Sequence, residues 1–177
     1  MLLHRLFFAL LPPFVQRNLI AVHRDAFPGA TSLVANDRLH KTLAIAGDFE
    51  RFPKAVAEAM LAIGAAVALG PFAVRLDRLS GSNRSIALRP SRRSAGLAEL
   101  SRQLAEPLRR HGLARDGWSF SPHVTLLYRN GAPFQQPIEP IGWDATDFVL
   151  IHSVVGATRH VELGRWRLES RQGAFGF

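Results

Sequence analysis

The sequence predicts a chain of strands and helices folded into two lobes that face each other across a cleft, and three observations predict it. His40-Lys41-Thr42-Leu43 is echoed by His123-Val124-Thr125-Leu126. Each copy has strand character, and each follows a helix that itself follows a strand, so the order strand, helix, motif strand occurs twice, as an internal duplication would leave it. Shuffling 7 His, 5 Thr and 24 Leu through 177 positions yields about 0.03 copies of the motif on average, so two copies are a signal.

The elements follow in order. Residues 5–11 are aromatic and aliphatic and stop at Pro12-Pro13, which fits a buried strand leading into a helix that starts on proline. That helix covers 13–25, with Phe14, Leu19, Ile20, Val22 and His23 as a rough apolar stripe, and Pro28-Gly29 ends the segment. Residues 39–46 form the first motif strand, with Leu39, Lys41, Leu43 and Ile45 on one face and His40, Thr42, Ala44 and Ala46 on the other. An Ala-rich helix spans 53–69 and closes at Gly70-Pro71. Strands at 72–79 and 85–89 join through Ser80-Gly81-Ser82-Asn83 as an antiparallel pair. Leu97, Leu100, Leu104 and Leu108 recur at helical spacing and mark an amphipathic helix over 95–111, with arginines in its last turn. The second motif strand covers 122–128, a proline-rich loop 131–140, and a final hairpin 148–155 and 160–169.

Composition bounds the function. At 177 residues, 47% hydrophobic and 20% charged, the chain has the makings of a globular domain. Its net charge of +8 is almost entirely arginine, since Lys41 and Lys54 are the only lysines, and arginine's planar fork suits phosphate oxygens. The chain has no cysteine, which excludes disulfides and thiolate metal sites. The apolar run before Pro12 is too short for a secretory leader, and residues 60–74 are too short to span a bilayer, so the expectation is a cytoplasmic monomer without membrane association.

The motifs carry chemistry. In a strand, a His and a Thr two positions apart emerge on the same face about 6 to 7 Å apart, so each copy offers an imidazole and a hydroxyl to one cavity. Two imidazoles suit in-line displacement at phosphorus: one removes a proton from attacking water while the other protonates the departing oxygen. The threonine hydroxyls would meet the non-bridging oxygens. This scheme requires no metal, and the sequence has no His-Glu-x-x-His and no carboxylate cluster near either motif. Val124 and Leu126 are expected in the core, and Leu127 on the cleft face against the non-polar parts of a substrate.

Together with an opening Arg5-Leu6-Phe7-Phe8-Ala9-Leu10, the segments His40-Lys41-Thr42-Leu43 and Pro122-His123-Val124-Thr125-Leu126 resemble the two-histidine (2H) phosphoesterase superfamily. Within it the likeness is to the bacterial RNA 2′,3′-cyclic phosphodiesterases, often labelled 2′-5′ RNA ligases, and it extends to residues 148–168. The resemblance implies an α+β bilobal fold, two antiparallel sheets around a central cleft with pseudo-twofold symmetry and flanking helices, with 1–177 as a single domain. It implies metal-independent, cofactor-free hydrolysis of a 2′,3′-cyclic phosphate at an RNA end to a 2′-phosphate. By matching positions, it implies His40 as proton donor to the leaving oxygen, His123 as base toward water, and Thr42 and Thr125 as phosphate-holding residues. A small cyclic nucleotide, an ADP-ribose cyclic phosphate, or a catalytically silent RNA-binding module are the alternatives. Three departures stand out. Lys41 occupies a position that is usually apolar, so it must snorkel or its face must be open. Arg129 comes one place later than the family's arginine, which turns it to the other face. His152 and His160 replace other residues in the last hairpin, and read as surface histidines.

Overall fold

Leu6, Phe8 and Leu10 point to one side of the first strand and Phe7 and Ala9 to the other, and all five are 3% exposed or less. A strand buried on both faces belongs in the middle of a sheet. In the computed structural model, which describes residues 2–170, it is strand β1 (Leu3–Leu10), flanked by β3 (Lys41–Phe49) and β8 (Asp147–Val155), with β9 (Arg159–Arg167) beyond, in the order β3-β1-β8-β9. A second sheet has the order β2-β6-β5-β4-β7, from β2 (Ser32–Leu33), β4 (Phe72–Gly81), β5 (Ser85–Arg89), β6 (Val124–Tyr128) and β7 (Phe134–Ala145). All strand pairs are antiparallel, giving the α+β architecture expected.

Two of the helices cross over between the sheets. Helix α1 (Phe14–Asp25) leaves β1 and packs on β6 and β7 of the other sheet, and α3 (Ala95–Arg110) leaves β5 and packs on β3 of the first. Each motif strand then returns beside the strand that preceded its helix, β3 next to β1 and β6 next to β5. The predicted duplication is therefore visible in topology. In α3 the stripe Leu97, Leu100, Leu104 and Leu108 is 3% exposed or less, and Ser94 caps the helix by accepting from the Leu97 N–H at 3.3 Å.

Three expectations change. The apolar stripe assigned to α1 is only partly inward: Ile20 is fully buried and His23 half-buried, but Phe14, Leu19 and Val22 are exposed, and Arg17, Ala21 and Arg24 share the inward face with Ile20. The arginines go inward because backbone oxygens receive them, Pro12 O for Arg17 and Val34 O for Arg24. Helix α2 (Lys54–Ala65) ends before residue 69, where the Gln103 side chain takes both the N–H and the carbonyl of Ala68. The proline-rich segment 131–140 is mostly strand, β7, because as the outermost strand it has one side free of ladder bonds, where Pro137 and Pro140 cost nothing.

Helix α2 and β9 meet through a close approach that only glycine allows. A Cβ added at Gly64 would sit 2.6 Å from the Trp166 ring, which is stacked on Phe148 at 5.2 Å and is not free to withdraw. Gly64→Ala is expected to destabilise the fold by about 1–3 kcal/mol in urea unfolding. An unchanged midpoint would show that the indole yields at no cost.

Candidate active site

Both motif strands carry the same irregularity. Ala9 stands opposite Thr42 while Phe8 stands opposite Ala44, so Leu43 is an extra residue in β3. Ala87 stands opposite Thr125 while Ile86 stands opposite Leu127, so Leu126 is an extra residue in β6. A bulge reverses the side-chain alternation beyond it. Hence Ile45 and Tyr128, not Ala44, Ala46 or Leu127, share the cleft with the motif threonines. Ala44 and Ala46 pack in the core under α3, and Leu127 is fully buried in the core of the second sheet, which corrects the strict alternation expected from sequence.

Between the sheets lies a cavity of about 450 Å³, lined by His40, Thr42, His123 and Thr125. The four residues singled out by the motif are therefore brought together. Each histidine lies just ahead of its strand and is held by the same bond: His40 Nδ1 lies 2.6 Å from Arg38 O, and His123 Nδ1 2.6 Å from Ser121 O. A carbonyl only accepts, so Nδ1 carries hydrogen in both rings, and in the neutral form Nε2 is the free base. The carbonyl that holds His40 belongs to the 3-10 turn Asn36–Arg38, which Arg24 braces by donating to Asn36 Oδ1 at 2.6 Å.

Desolvation sets the charge of this site. It pushes the His40 pKa down to about 4, reinforced by the nearby charges of His160, His123 and Arg38, against the opposing hydrogen bond to Arg38 O. His123 is also lowered by desolvation, with Arg89 and Lys41 as like charges. Both rings are thus neutral at pH 7 in the free protein. A bound anion would restore the proton to either, because it supplies the counter-charge that water no longer does.

Lys41 neither snorkels nor lies on an open face. It is 0% exposed, and its Nζ has no hydrogen-bond partner among the described residues. The cause is that β3 is an edge strand whose start abuts β6 of the other sheet, so the space that would be solvent is protein. Arg129 does turn away from the cleft, lying over Phe27 at 5.9 Å and Phe134 at 5.5 Å.

Besides Ile45 and Tyr128, Arg38 and His160 are cleft residues that the sequence reading missed. His160 lines the cavity, edge-on to His40 at 5.4 Å and to Phe7 at 5.6 Å, instead of lying on the surface. Its place follows from the β8–β9 register, which no local pattern encodes. His152 is elsewhere, stacked on His4 at 5.0 Å with Nδ1 to Nε2 at 2.8 Å.

Two antiparallel sheets with a His-x-Thr strand from each converging on one cleft define a two-histidine phosphoesterase. The chain belongs to the 2′-5′ RNA ligase superfamily, whose sequence pattern matches residues 11–154. Among solved structures it is similar to a protein described as a phosphoesterase, at 28% identity over 94% of this chain and 99% of that one, with a TM-score of 0.80. It is similar also to E. coli LigT complexed with 3′-AMP, at 28% identity over 94% and 98% of the two chains and a TM-score of 0.77. TT0787 of Thermus thermophilus shares the fold, at 24% identity over 94% and 98% of the chains and a TM-score of 0.75. No curated protein sequence matches. Family and fold together support a phosphoesterase activity. No helix among the described residues is long and apolar enough to cross a membrane.

Proposed function

We propose that the protein hydrolyses a 2′,3′-cyclic phosphate at an RNA end to a 2′-phosphate, with His40 and His123 as the acid and base. The observation that carries this reading is the matched pair of imidazoles, each fixed through Nδ1 with Nε2 left to serve one cavity of about 450 Å³. Water attacks phosphorus as His123 Nε2 takes its proton, the bond from phosphorus to O3′ breaks, and O3′ receives a proton from His40. The product is a 2′-phosphate with a free 3′-hydroxyl. Thr42 and Thr125 point hydroxyls at the non-bridging oxygens, where charge accumulates. The crystal complexes of E. coli LigT with 3′-AMP and with phosphate support a nucleotide-sized, phosphate-bearing ligand for the equivalent cleft here.

Two histidines that are neutral at pH 7 in the free protein pose a condition that the substrate meets. The phosphodiester brings a negative charge, which raises the pKa of the acid as it binds. The test is incubation with an oligoribonucleotide ending in a 2′,3′-cyclic phosphate beside a panel of small 2′,3′-cyclic nucleotides, with and without EDTA, assigning the position of the product phosphate. Conversion of the RNA end to a 2′-phosphate at an EDTA-independent rate is expected. Turnover of the small cyclic nucleotides alone would move the reading to a small-molecule phosphodiesterase, and binding without turnover to a silent RNA-binding module.

A further inference from the structure

We propose that Arg38 is the phosphate-binding cation of this cleft, an inference that rests on the phosphodiesterase reading of the site. A cyclic phosphodiester carries a fixed negative charge, and a half-buried cleft needs a fixed positive charge to receive it. Among the described residues two arginines line the cavity, Arg5 and Arg38. Arg5 is engaged: its Nε and Nη2 each donate to Asp48 at 2.6 Å, a bidentate pair that leaves little charge to offer. Arg129, next along from the second motif, is turned into the Phe27 and Phe134 rings, and Tyr128 takes the cleft position beside Thr125.

Arg38 is placed differently. It forms no ion pair among the described residues, not even with the adjacent Asp37. It shares the cavity wall with His40 and His160, and is close enough to both to disfavour their protonated forms. Its own carbonyl holds His40 Nδ1, so the turn that orients the imidazole also fixes the root of the guanidinium. The unpaired guanidinium thus helps to keep His40 neutral in the free protein. A phosphate bound to it would offset its charge and let His40 take a proton.

The experiment compares wild type, Arg38→Gln and Arg38→Lys in two readouts. One is the dissociation constant of inorganic phosphate, followed by histidine NMR shifts. The other is kcat and KM on 2′,3′-cyclic AMP and on an RNA with a cyclic-phosphate end. Arg38→Gln should weaken phosphate binding by about tenfold or more and lower kcat/KM by about 10- to 100-fold, with Arg38→Lys between, and leave the thermal midpoint unchanged. Unchanged phosphate affinity in Arg38→Gln overturns the assignment, as does a wild type that binds no phosphate at millimolar concentration. Wild type that binds phosphate through Arg38 but hydrolyses neither ester upholds Arg38 and overturns the phosphodiesterase reading, so the two failures are distinguishable.

Discussion

Replacing His123 or His40 by alanine is expected to lower kcat/KM on a 2′,3′-cyclic phosphate by about 10²–10⁴-fold for each residue, the range for loss of a positioned acid or base. The double variant should fall only slightly further, since in the proposed mechanism the two act on one proton-transfer path and either loss disables it. The folded state should survive, because both rings lie at the open cleft and not in a core cluster. Activity near wild type in either single variant would falsify the assignment. The pH profile adds a sharper test. The proposed mechanism needs one ring neutral and one protonated, and in the free protein both pKa values lie below the ordinary 6.5, His40 at about 4. The bell of kcat/KM should therefore have its optimum below pH 6.5, with limbs that belong to the coupled pair. Once substrate is bound, its charge raises the acid's pKa, so the alkaline limb of kcat should lie higher than that of kcat/KM. A kcat/KM optimum above about pH 7 would mean that the cleft is wetter than its geometry indicates.

Lys41→Met is expected to stabilise the protein by about 2–5 kcal/mol below pH 7, an unusual sign for a substitution in a buried position. Burial pushes the Lys41 pKa down to about 7 from 10.5, with the Arg89 charge adding to it. Between pH 10.5 and 7 the unfolded chain binds the lysine proton and the folded chain does not. Stability therefore drops as pH falls through that window, and the full cost is present below about 7. Methionine has a similar volume without the charge, and Val124 occupies the equivalent place, after the motif histidine, in the other half. Urea midpoints at about pH 6 and about pH 10 should show a large gap between variant and wild type that narrows at the higher pH. An equal or weaker variant at the lower pH would mean that Nζ finds water in solution. Lys41 also acts on His123 as a like charge, so the variant should raise the His123 pKa, which histidine NMR titration would read directly.

Much of this was legible locally. The four leucines of α3 fix one face by spacing alone, since about 3.6 residues per turn repeats whatever the surroundings. The paired His-x-Thr-Leu segments marked both cleft walls, and the strand-helix-strand order around each foretold β1 beside β3 and β5 beside β6. Prolines hid β7, because a proline marks a turn unless one side of the strand is known to be free.

The sequence by itself determined which four side chains would meet in one cleft: His40, Thr42, His123 and Thr125 form a repeated pattern, and a repeated pattern needs no coordinates to be seen. Tertiary structure alone decided what surrounds them. The bulges at Leu43 and Leu126 exchange Ala44 for Ile45 and Leu127 for Tyr128, and a bulge arises from how two strands pair, which neither strand encodes alone. The inward arginines of α1, the burial of Lys41 and the arrival of His160 beside His40 share that origin. Each depends on what a distant segment places opposite, a carbonyl, a strand edge or a hairpin register, and such partners are chosen by packing across the whole chain.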